Sequence, residues 1–347
     1  MLIKFDDPGE LNPNDKTNNC SVNTIRVLSN AITAYAEGSH LVWMPLPLIK
    51  RLIELDCFNS YQQRALFQLQ QYSREARNLS EELKYYIHIT FDDEDVCVFA
   101  ENHLKLSYQL MLESYLWQPL PLLVENIDDA ELYEISAKSI LVHIKSSNIY
   151  NINLDHQNGG GTTTFDLFTR LISKEKLTLC ILDNDKNHPD DKLGGTADRF
   201  SDHFNSDNTK YLIKVLESRE IENIIPISII NEIAFKHHLN IPDKFYVLTR
   251  SGFRTYFDHK NGLYTEQALK YDEDYNSIYW GRLPKAIKKT WICEPLPAGI
   301  AKKALDYMKK NTPHKMLEMT KPDEDKEWLD IGRLVASWGL CNKRIVK

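Results

Sequence analysis

Short apolar runs alternate with helix-like stretches through the middle of this chain. The runs of strand type lie at 121–124, 150–154, 179–182 and 211–216. Between the first three lie stretches with helical apolar spacing, at 130–137 and 162–172. Strands that alternate with helices predict an α/β fold in which helices cover a parallel sheet.

The same patterning divides the 347 residues into four parts. They are a mobile arm at 1–22, a mainly helical region with a β-hairpin at 23–117, a core at 118–240 and a mixed α+β region at 241–347. The arm is predicted because it is rich in Asn, Asp and Pro. The hairpin is expected to join 86–91 to 96–99. In the last region a strand is predicted at 245–248 and helices at 300–308 and 328–338.

Carboxylates directly follow two of the apolar runs. Glu125 comes after 121–124, and Asp183 and Asp185 come after 179–182. Open α/β sheets bind ligands at the carboxyl ends of their strands, so we expect these three side chains to converge there. Adjacent carboxylates repel, and one takes up a proton unless a cation neutralises them. Because Mg²⁺ prefers oxygen ligands, it is the natural cation for such a cluster.

These motifs resemble the toprim domain, in which a Glu after the first strand and an Asp-x-Asp after the third form a metal site. The chain carries Val124-Glu125-Asn126-x-x-Asp129 and, later, Leu182-Asp183-x-Asp185. Gly159–Gly161 and the stretch Glu220-Ile221-Glu222-Asn223-Ile224-Ile225-Pro226 are similar to the branch of the overcoming-lysogenisation-defect (OLD) nucleases and the toprim effectors of anti-phage defence. The resemblance covers roughly residues 118 to 235 and implies a Rossmann-like toprim core.

The resemblance also implies a function, that of a metal-dependent nuclease which cleaves phosphodiester bonds in DNA or RNA with Mg²⁺ or Mn²⁺. The implied metal ligands are Glu125, Asp129, Asp183, Asp185 and Glu222. Glu125 could instead act as general base, and Lys186 is the nearest cation in the sequence for a catalytic role. The chain has no Walker A motif, so a separate ATPase or sensor protein is the implied partner. A homodimer is a further expectation.

Charge sets a condition on nucleic-acid binding. The formal net charge is -7, so a nucleic-acid enzyme of this composition needs a local basic patch. The candidate patch is Arg282, Lys285, Lys288 and Lys289, interleaved with Tyr279, Trp280 and Trp291. Such aromatics can stack on bases while the cations hold phosphates. The alternative is an ordinary solvated helix whose aromatic residues belong to the core.

Two features favour a cytoplasmic protein. The 6 cysteines are scattered without a C-x-x-C pair, which is typical of reduced thiols. The first residues are acidic and polar, unlike a signal peptide, and no apolar run approaches the ~20 residues of a membrane span. No membrane partner is therefore expected.

Simpler explanations remain open for each motif. Asp183 and Asp185 could begin a turn, and Glu125 could lie in the first turn of a helix. Asp129 and Glu222 could serve as helix caps. Asp183-x-Asp185 also resembles the haloacid dehalogenase-like phosphatases, although Asn187 stands where that family has Thr or Val. A non-catalytic toprim-like scaffold that binds partners or nucleic acid is the remaining alternative.

Overall fold

Strands and helices alternate along most of the chain. The computed structural model describes residues 1–9, 11, 19–92, 97–100, 103–204, 210–283 and 290–345. The strands are β1 Leu2–Phe5, β2 Leu41–Trp43, β3 Tyr86–Thr90, β4 Cys97–Ala100, β5 His103–Ser107, β6 Pro121–Val124, β7 Tyr150–Ile152, β8 Asp155–Asn158, β9 Thr178–Leu182, β10 Tyr211–Val215, β11 Leu263–Tyr264, β12 Trp291–Cys293 and β13 Leu340–Asn342. The helices are α1 Asn19–Glu37, α2 Leu46–Glu54, α3 Ser60–Glu82, α4 Ile127–His143, α5 Thr164–Ile172, α6 Gly195–Asp198, α7 Ile221–Ile224, α8 Ile227–His237, α9 Asp243–Arg250, α10 Thr265–Asp274, α11 Ile300–Lys309, α12 Pro313–Glu318 and α13 Lys326–Gly339.

A four-stranded, all-parallel sheet flanked by helices confirms the predicted α/β class. Its strand order is β10–β9–β6–β8, so β8 and β9 lie on opposite sides of β6. This reversal of direction creates a topological switch point beyond the carboxyl ends of β6 and β9. Side chains alternate between the two faces of the sheet. Leu122 and Leu179 join the core that contains α4, while Leu123 and Cys180 join a smaller core with α5.

The second strand of this sheet is not the one that the alternating pattern predicted. Residues 155–158 form β8 beside β6, whereas Tyr150–Ile152 forms β7 and pairs antiparallel with β13. The sequence of β8 is Asp-His-Gln-Asn, and the strand lies at the edge of the sheet. A polar edge strand held by backbone hydrogen bonds leaves no apolar signal in the sequence.

A second sheet contradicts the predicted mobile arm. Strand β1 lies between β2 and β3 and pairs parallel with both. Leu2 and Ile3 have 0% of their surface exposed. The arm at 1–22 is therefore wrong for 2–5, because these apolar residues enter the core, and wrong from Asn19 onward, where α1 begins. Residues 10 and 12–18 lie outside the described part of the chain.

The predicted β-hairpin is also wrong, and residues 23–117 are less helical than expected. The order of this sheet is β2–β1–β3–β5–β4, so β5 separates the two strands that were expected to pair. Strand β3 pairs parallel with β5, and β4 forms the antiparallel hairpin with β5. An apolar run identifies a strand, but the partner is decided by the whole sheet.

Helices from the C-terminal region pack against α4, which follows the first acidic strand end. The helices predicted at 300–308 and 328–338 are confirmed as α11 and α13. Helix α13 packs along α4, and Ser136 Oγ donates to the Trp328 carbonyl over 2.9 Å. A Cβ on Gly332 would lie 2.3 Å from Ser136 Oγ, so glycine permits this close approach.

One predicted strand is a helix. Residues 245–248 lie within α9, where Phe245 and Leu248 are both buried at helical spacing. The residues of this run have high β-propensity, but they form a helix because one face of that helix buries the apolar side chains of Phe245 and Leu248. The main apolar core includes residues from Met1 to Ile345. Among the helices described, none has both the length and the apolarity that crossing a membrane requires.

Burial of β1 gives the first prediction. Ile3→Ala should lower the free energy of unfolding by about 2–5 kcal/mol, because it leaves a cavity between β2 and β3. Ile278→Ala is the matched control, since Ile278 is 66% exposed and its truncation should change stability by less than about 0.5 kcal/mol. Urea denaturation followed by circular dichroism measures both. Equal stability of the two variants would contradict the position of β1 in the sheet.

A candidate carboxylate site at the sheet edge

Glu125 and Asp183 meet at the switch point of the central sheet. Glu125 directly follows β6 and Asp183 directly follows β9, which is the neighbouring strand. The backbone N–H of Asp183 donates to Glu125 Oε1 over 3.3 Å. The hydroxyl of Thr196, in α6, also hydrogen-bonds to the Glu125 carboxylate. The structure thus brings together two residues that the sequence places at separate strand ends.

Several carboxylates crowd around Asp183. Burial raises the pKa of Asp183 well above its ordinary value, and the charges of Asp129, Glu125, Asp185 and Glu220 raise it further. Burial and then the charge of Asp185 also raise the pKa of Glu125. Binding of a proton or a cation at this end of the sheet would therefore stabilise the protein, because either one reduces the repulsion among the carboxylates.

Asp129 belongs both to a helix start and to the acidic cluster. Its Oδ2 accepts a hydrogen bond from the backbone N–H of Asn126 over 3.3 Å, completing a capping box at the start of α4. Burial, followed by the charge of Glu222, raises the pKa of Asp129 to about 7. The helix-start role and the cluster role are therefore compatible at this residue.

The turn that carries Asp185 depends on a glycine. Asp185 is exposed and has a left-handed backbone with φ 54°, which Asp tolerates better than most residues. Gly194 lies directly against it, since a Cβ there would be 2.4 Å from Asp185 Cβ. The Gly194 N–H donates to the Asn184 carbonyl over 2.9 Å and closes the loop.

The ammonium group at this site belongs to Lys260. Its Nζ lies 2.8 Å from Glu220 Oε2 and 3.9 Å from Glu222 Oε1. Burial lowers the pKa of Lys260, but the hydrogen bond to Glu220 and the nearby carboxylate charges outweigh it and hold the pKa above its ordinary value. Lys186, chosen from its proximity in sequence, donates its ammonium to the Pro189 carbonyl over 3.3 Å. The sequence analysis gave Glu220 and Lys260 no role at this site, because only the fold brings them to the aspartates.

Arg219 joins the loop of Asp185 to the loop of Lys260. One guanidinium nitrogen, Nη1, donates to the Asp185 carbonyl over 3.0 Å and to Asn187 Oδ1 over 2.7 Å. The other, Nη2, contacts Asp258 Oδ2 at 3.1 Å. Asp258 Oδ1 in turn accepts the backbone N–H of Lys260 over 2.8 Å. The sequence did not predict these contacts, because neither Arg219 nor Asp258 belongs to a recognisable motif.

Two further side chains hold the loop after β10, which leads to Glu220 and Glu222. Asn184 is buried, and its Nδ2 donates to the Leu216 and Glu217 carbonyls over 3.1 and 2.7 Å. From α13, the Glu327 carboxylate accepts the backbone N–H groups of Glu217 and Ser218. In the sequence, the indication of this role was that Asn184 is a polar residue between the two aspartates.

The glycine run supports the backbone of Glu125. The Gly160 N–H donates to the Glu125 carbonyl over 3.0 Å. Gly160 and Gly161 have φ of 70° and 65°, a region that glycine occupies without a steric penalty. A Cβ on Gly159 would lie 2.3 Å from Thr164 Oγ1. These glycines therefore hold the chain close behind the end of β6.

Part of the predicted nucleic-acid-binding stretch is described. Arg282 ends a short 3-10 helix at Trp280–Arg282, while Lys285, Lys288 and Lys289 lie outside the described residues. Trp280 is only 1% exposed, and its Nε1 donates to the Asn187 carbonyl over 3.1 Å. Trp280 is thus a core residue that supports the Asp-x-Asp loop, as the alternative interpretation of these aromatics expected.

The carboxylates lie at one edge of the central sheet, but they do not form a complete coordination sphere for a metal ion. Within the described ranges, no three His, Cys, Asp or Glu side chains are grouped so that they could hold a metal ion. Mg–O bonds of about 2.0–2.1 Å require the ligand oxygens to surround a single point closely. Glu125 Oε1 instead accepts the Asp183 N–H. Side-chain rotation would therefore have to accompany binding of an ion.

The raised pKa of Asp129 predicts how stability depends on pH. Its pKa rises from 3.8 to about 7 on folding, so the folded state binds the proton more tightly and stability falls as pH rises through that interval. Asp129→Asn should flatten this fall and stabilise the metal-free protein above pH ~7, by up to about 4 kcal/mol. Thermal melts in EDTA at a series of pH values measure the effect. Asp306→Asn, an exposed carboxylate on α11, is the control, and an unchanged profile in Asp129→Asn would contradict the prediction.

Comparison with known proteins leaves the family open. The chain matches no protein-family model, no curated protein and no solved structure. The toprim resemblance therefore rests on the motifs in the sequence. The structure establishes an α/β fold whose parallel sheet gathers carboxylates and one lysine at its switch point.

Proposed function

We propose that this chain is a metal-dependent nuclease with a toprim-like core. The observation that carries the proposal is the 3.3 Å contact between the Asp183 N–H and Glu125 Oε1 at the switch point of a parallel sheet. The order of these strands along the chain supports the toprim resemblance. Glu125 follows β6, the first strand of the sheet in the sequence, and Asp183 follows β9, the third. The raised pKa of Asp183 supports a need for positive charge at this point.

Mg²⁺ or Mn²⁺ fits the chemistry of these side chains. Carboxylate oxygens are the donors that both ions accept, and an ion would relieve the repulsion that raises the pKa values. Asp183, Asp185 and Glu125 would hold it, with Asp129 and Glu222 completing the cluster. When bound, such an ion lowers the pKa of water and stabilises charge on a phosphate.

The side chains would divide the remaining work. If Glu125 acts as general base instead of as a metal ligand, its raised pKa makes its carboxylate a better acceptor for the proton of an attacking water. Lys260 would contact a phosphate oxygen, since it already lies among the carboxylates as an ammonium. Arg219 would keep Lys260 and Asp185 at a fixed separation.

The substrate and partners are proposed from the resemblance. A phosphodiester of DNA or RNA would be cleaved, in a cytoplasmic anti-phage defence system in which a separate ATPase or sensor, or a second copy of this chain, takes part. Arg282, Lys285, Lys288 and Lys289 would hold the substrate's phosphates. Aromatic stacking by Trp280 is no part of this proposal, because that side chain is buried.

Two other functions would use the same residues differently. A haloacid dehalogenase-like phosphatase would use Asp183 as a nucleophile, but it would give Glu125 no role despite the contact between the two. A non-catalytic scaffold would retain the fold without needing the crowded carboxylates. Crowding costs folding free energy, which favours the enzymatic proposal over the scaffold.

Substitution of the carboxylates tests the nuclease. Asp183→Asn and Glu125→Gln should each lower cleavage of single-stranded and double-stranded DNA and RNA by at least about 100-fold in Mg²⁺ or Mn²⁺. Asp306→Asn, an exposed carboxylate on α11, is the control and should keep the parent's rate. Melting curves show whether each variant is folded. Equal cleavage by Asp183→Asn and the parent would overturn the nuclease assignment.

Metal binding can be tested without any substrate. Mg²⁺ or Mn²⁺ at about a hundredfold excess over its dissociation constant should stabilise the fold by about 2.7 kcal/mol. Asp183→Asn should lose most of this increment, because a ligand at the centre of the cluster is gone. Differential scanning fluorimetry with and without EDTA measures it. If neither ion changes the melting temperature of the parent protein, the result would contradict the metal site.

A further inference from the structure

A cleft lies between the start of α13, helix α7 and the turn that follows α9. Its volume is about 270 Å³, the space of roughly nine water molecules at about 30 Å³ each. Ile224, Ile227 and Trp328 give the cleft an apolar wall. Arg254 and Asp325, which carry opposite charges, also line it. An apolar wall with a few charged groups is the usual composition of a site for a small molecule.

Arg254 is the buried cation of this cleft, and part of its guanidinium is unpaired. Only 8% of the residue is exposed, and Nη2 donates to the Glu222 and Ile225 carbonyls over 2.6 and 2.9 Å. Within the described ranges, neither Nε nor Nη1 has a hydrogen-bond partner. Burial lowers the pKa of Arg254 to about 10, so the group remains charged at neutral pH. Because unpaired buried donors cost free energy, an acceptor that enters the cleft is stabilised at Nη1.

Asp325 is the buried anion of the same cleft. It is 8% exposed, and its Oδ2 accepts the backbone N–H of Lys321 over 2.8 Å. Burial raises the pKa of Asp325, while the Lys321 hydrogen bond and the charge of Arg254 lower it. Arg254 and Asp325 therefore influence each other, yet in the described part of the chain both side chains make hydrogen bonds only to backbone groups. A ligand that carries both charges would join them.

The other carboxylates that line the cleft already have partners in the chain. These contacts are Glu327 with the backbone N–H groups of Glu217 and Ser218, Glu324 with Lys321 Nζ at 3.1 Å, and Glu217 with Lys214 Nζ at 3.5 Å. Glu217 and Glu324 are also exposed, as is Lys326, so water and salt screen their charges. Among the described residues of the lining, Arg254 and Asp325 are therefore the buried charges that a ligand would meet without a charged competitor.

We propose that this cleft binds a free α-amino acid with an apolar side chain. The carboxylate of the amino acid accepts a hydrogen bond from Arg254 Nη1, and its ammonium group pairs with Asp325. Its side chain packs against the wall of Ile224, Ile227 and Trp328. A zwitterion carries its two charges a few atoms apart, so it satisfies both buried groups at once, whereas a simple anion or cation would leave one of them unpaired. This inference does not depend on the proposed nuclease, because the lining of the cleft includes none of the proposed metal ligands.

Ligands that lack one of the two charges test the proposal. Isothermal titration calorimetry of the full chain in EDTA first measures leucine, valine and phenylalanine, and then the analogues of the tightest binder without its carboxylate or without its ammonium group. For leucine these analogues are isoamylamine and isocaproate. Each analogue should bind at least about 10-fold more weakly than the amino acid, because it leaves a buried charge unpaired. The proposal is overturned if none of the three amino acids binds, or if either analogue binds as tightly as the amino acid.

Substitution of Asp325 tests the contact with the ammonium group. Asp325→Asn keeps an acceptor for the Lys321 N–H but removes the charge, so it should weaken binding of the amino acid at least about 10-fold. The analogue without the ammonium group should bind this variant no more weakly than it binds the parent, which a loss of folding would not produce. Asp323→Asn, an exposed carboxylate outside the cleft, is the matched control and should keep the parent's affinity. Equal affinity of Asp325→Asn and the parent for the amino acid would overturn the proposal.

Substitution of Arg254 tests the contact with the carboxylate. Arg254→Gln should weaken binding of the amino acid at least about 10-fold and should leave the analogue without a carboxylate unaffected. Arg250→Gln, at an exposed arginine outside the cleft, is the control. Because Arg254 also holds the Glu222 and Ile225 carbonyls, melting curves show whether Arg254→Gln is folded, and the Asp325→Asn test does not depend on it. A folded Arg254→Gln that keeps the parent's affinity would overturn the proposal.

Discussion

The structure is organised around like charge gathered at the ends of β6 and β9. Asp183 is raised in pKa by burial and by four neighbouring carboxylates, and Glu125 is raised by burial and Asp185. Folding has to hold these groups together against their repulsion. A protein keeps such a cluster only where other contacts outweigh the cost, and those contacts make up much of the surrounding structure.

Backbone hydrogen bonds supply much of that compensation. Arg219 connects the loop of Asp185 to the loop of Lys260, and Asn184 connects the ends of β9 and β10. Glu327 holds the same β10 loop from α13. Asn184 and Glu327 bind backbone groups of the loop, while Arg219 binds the Asp185 carbonyl and the Asp258 carboxylate. The loops are therefore positioned before any ligand arrives, as preorganised sites require.

The site is built jointly by the core and the C-terminal region. Lys260 and Asp258 lie beyond residue 240, as do Trp280, which supports the Asp-x-Asp loop, and Glu327. The apolar core is likewise continuous from Met1 to Ile345. A carboxylate site confined to residues 118–240 would lack Lys260.

The sequence by itself determined the parallel α/β core and the two acidic strand ends. A short apolar run such as 179–182 with an acidic residue directly after it is visible in the sequence, because it depends only on residues that are neighbours in the chain. The sequence could not identify β8, whose polar residues carry no such period, or the partners of β3 and β4, because pairing depends on the whole sheet. It also could not distinguish Lys260 from Lys186 as the cation at the site. Only the tertiary structure decides which distant side chains share a space, since those contacts depend on how the loops close and pack.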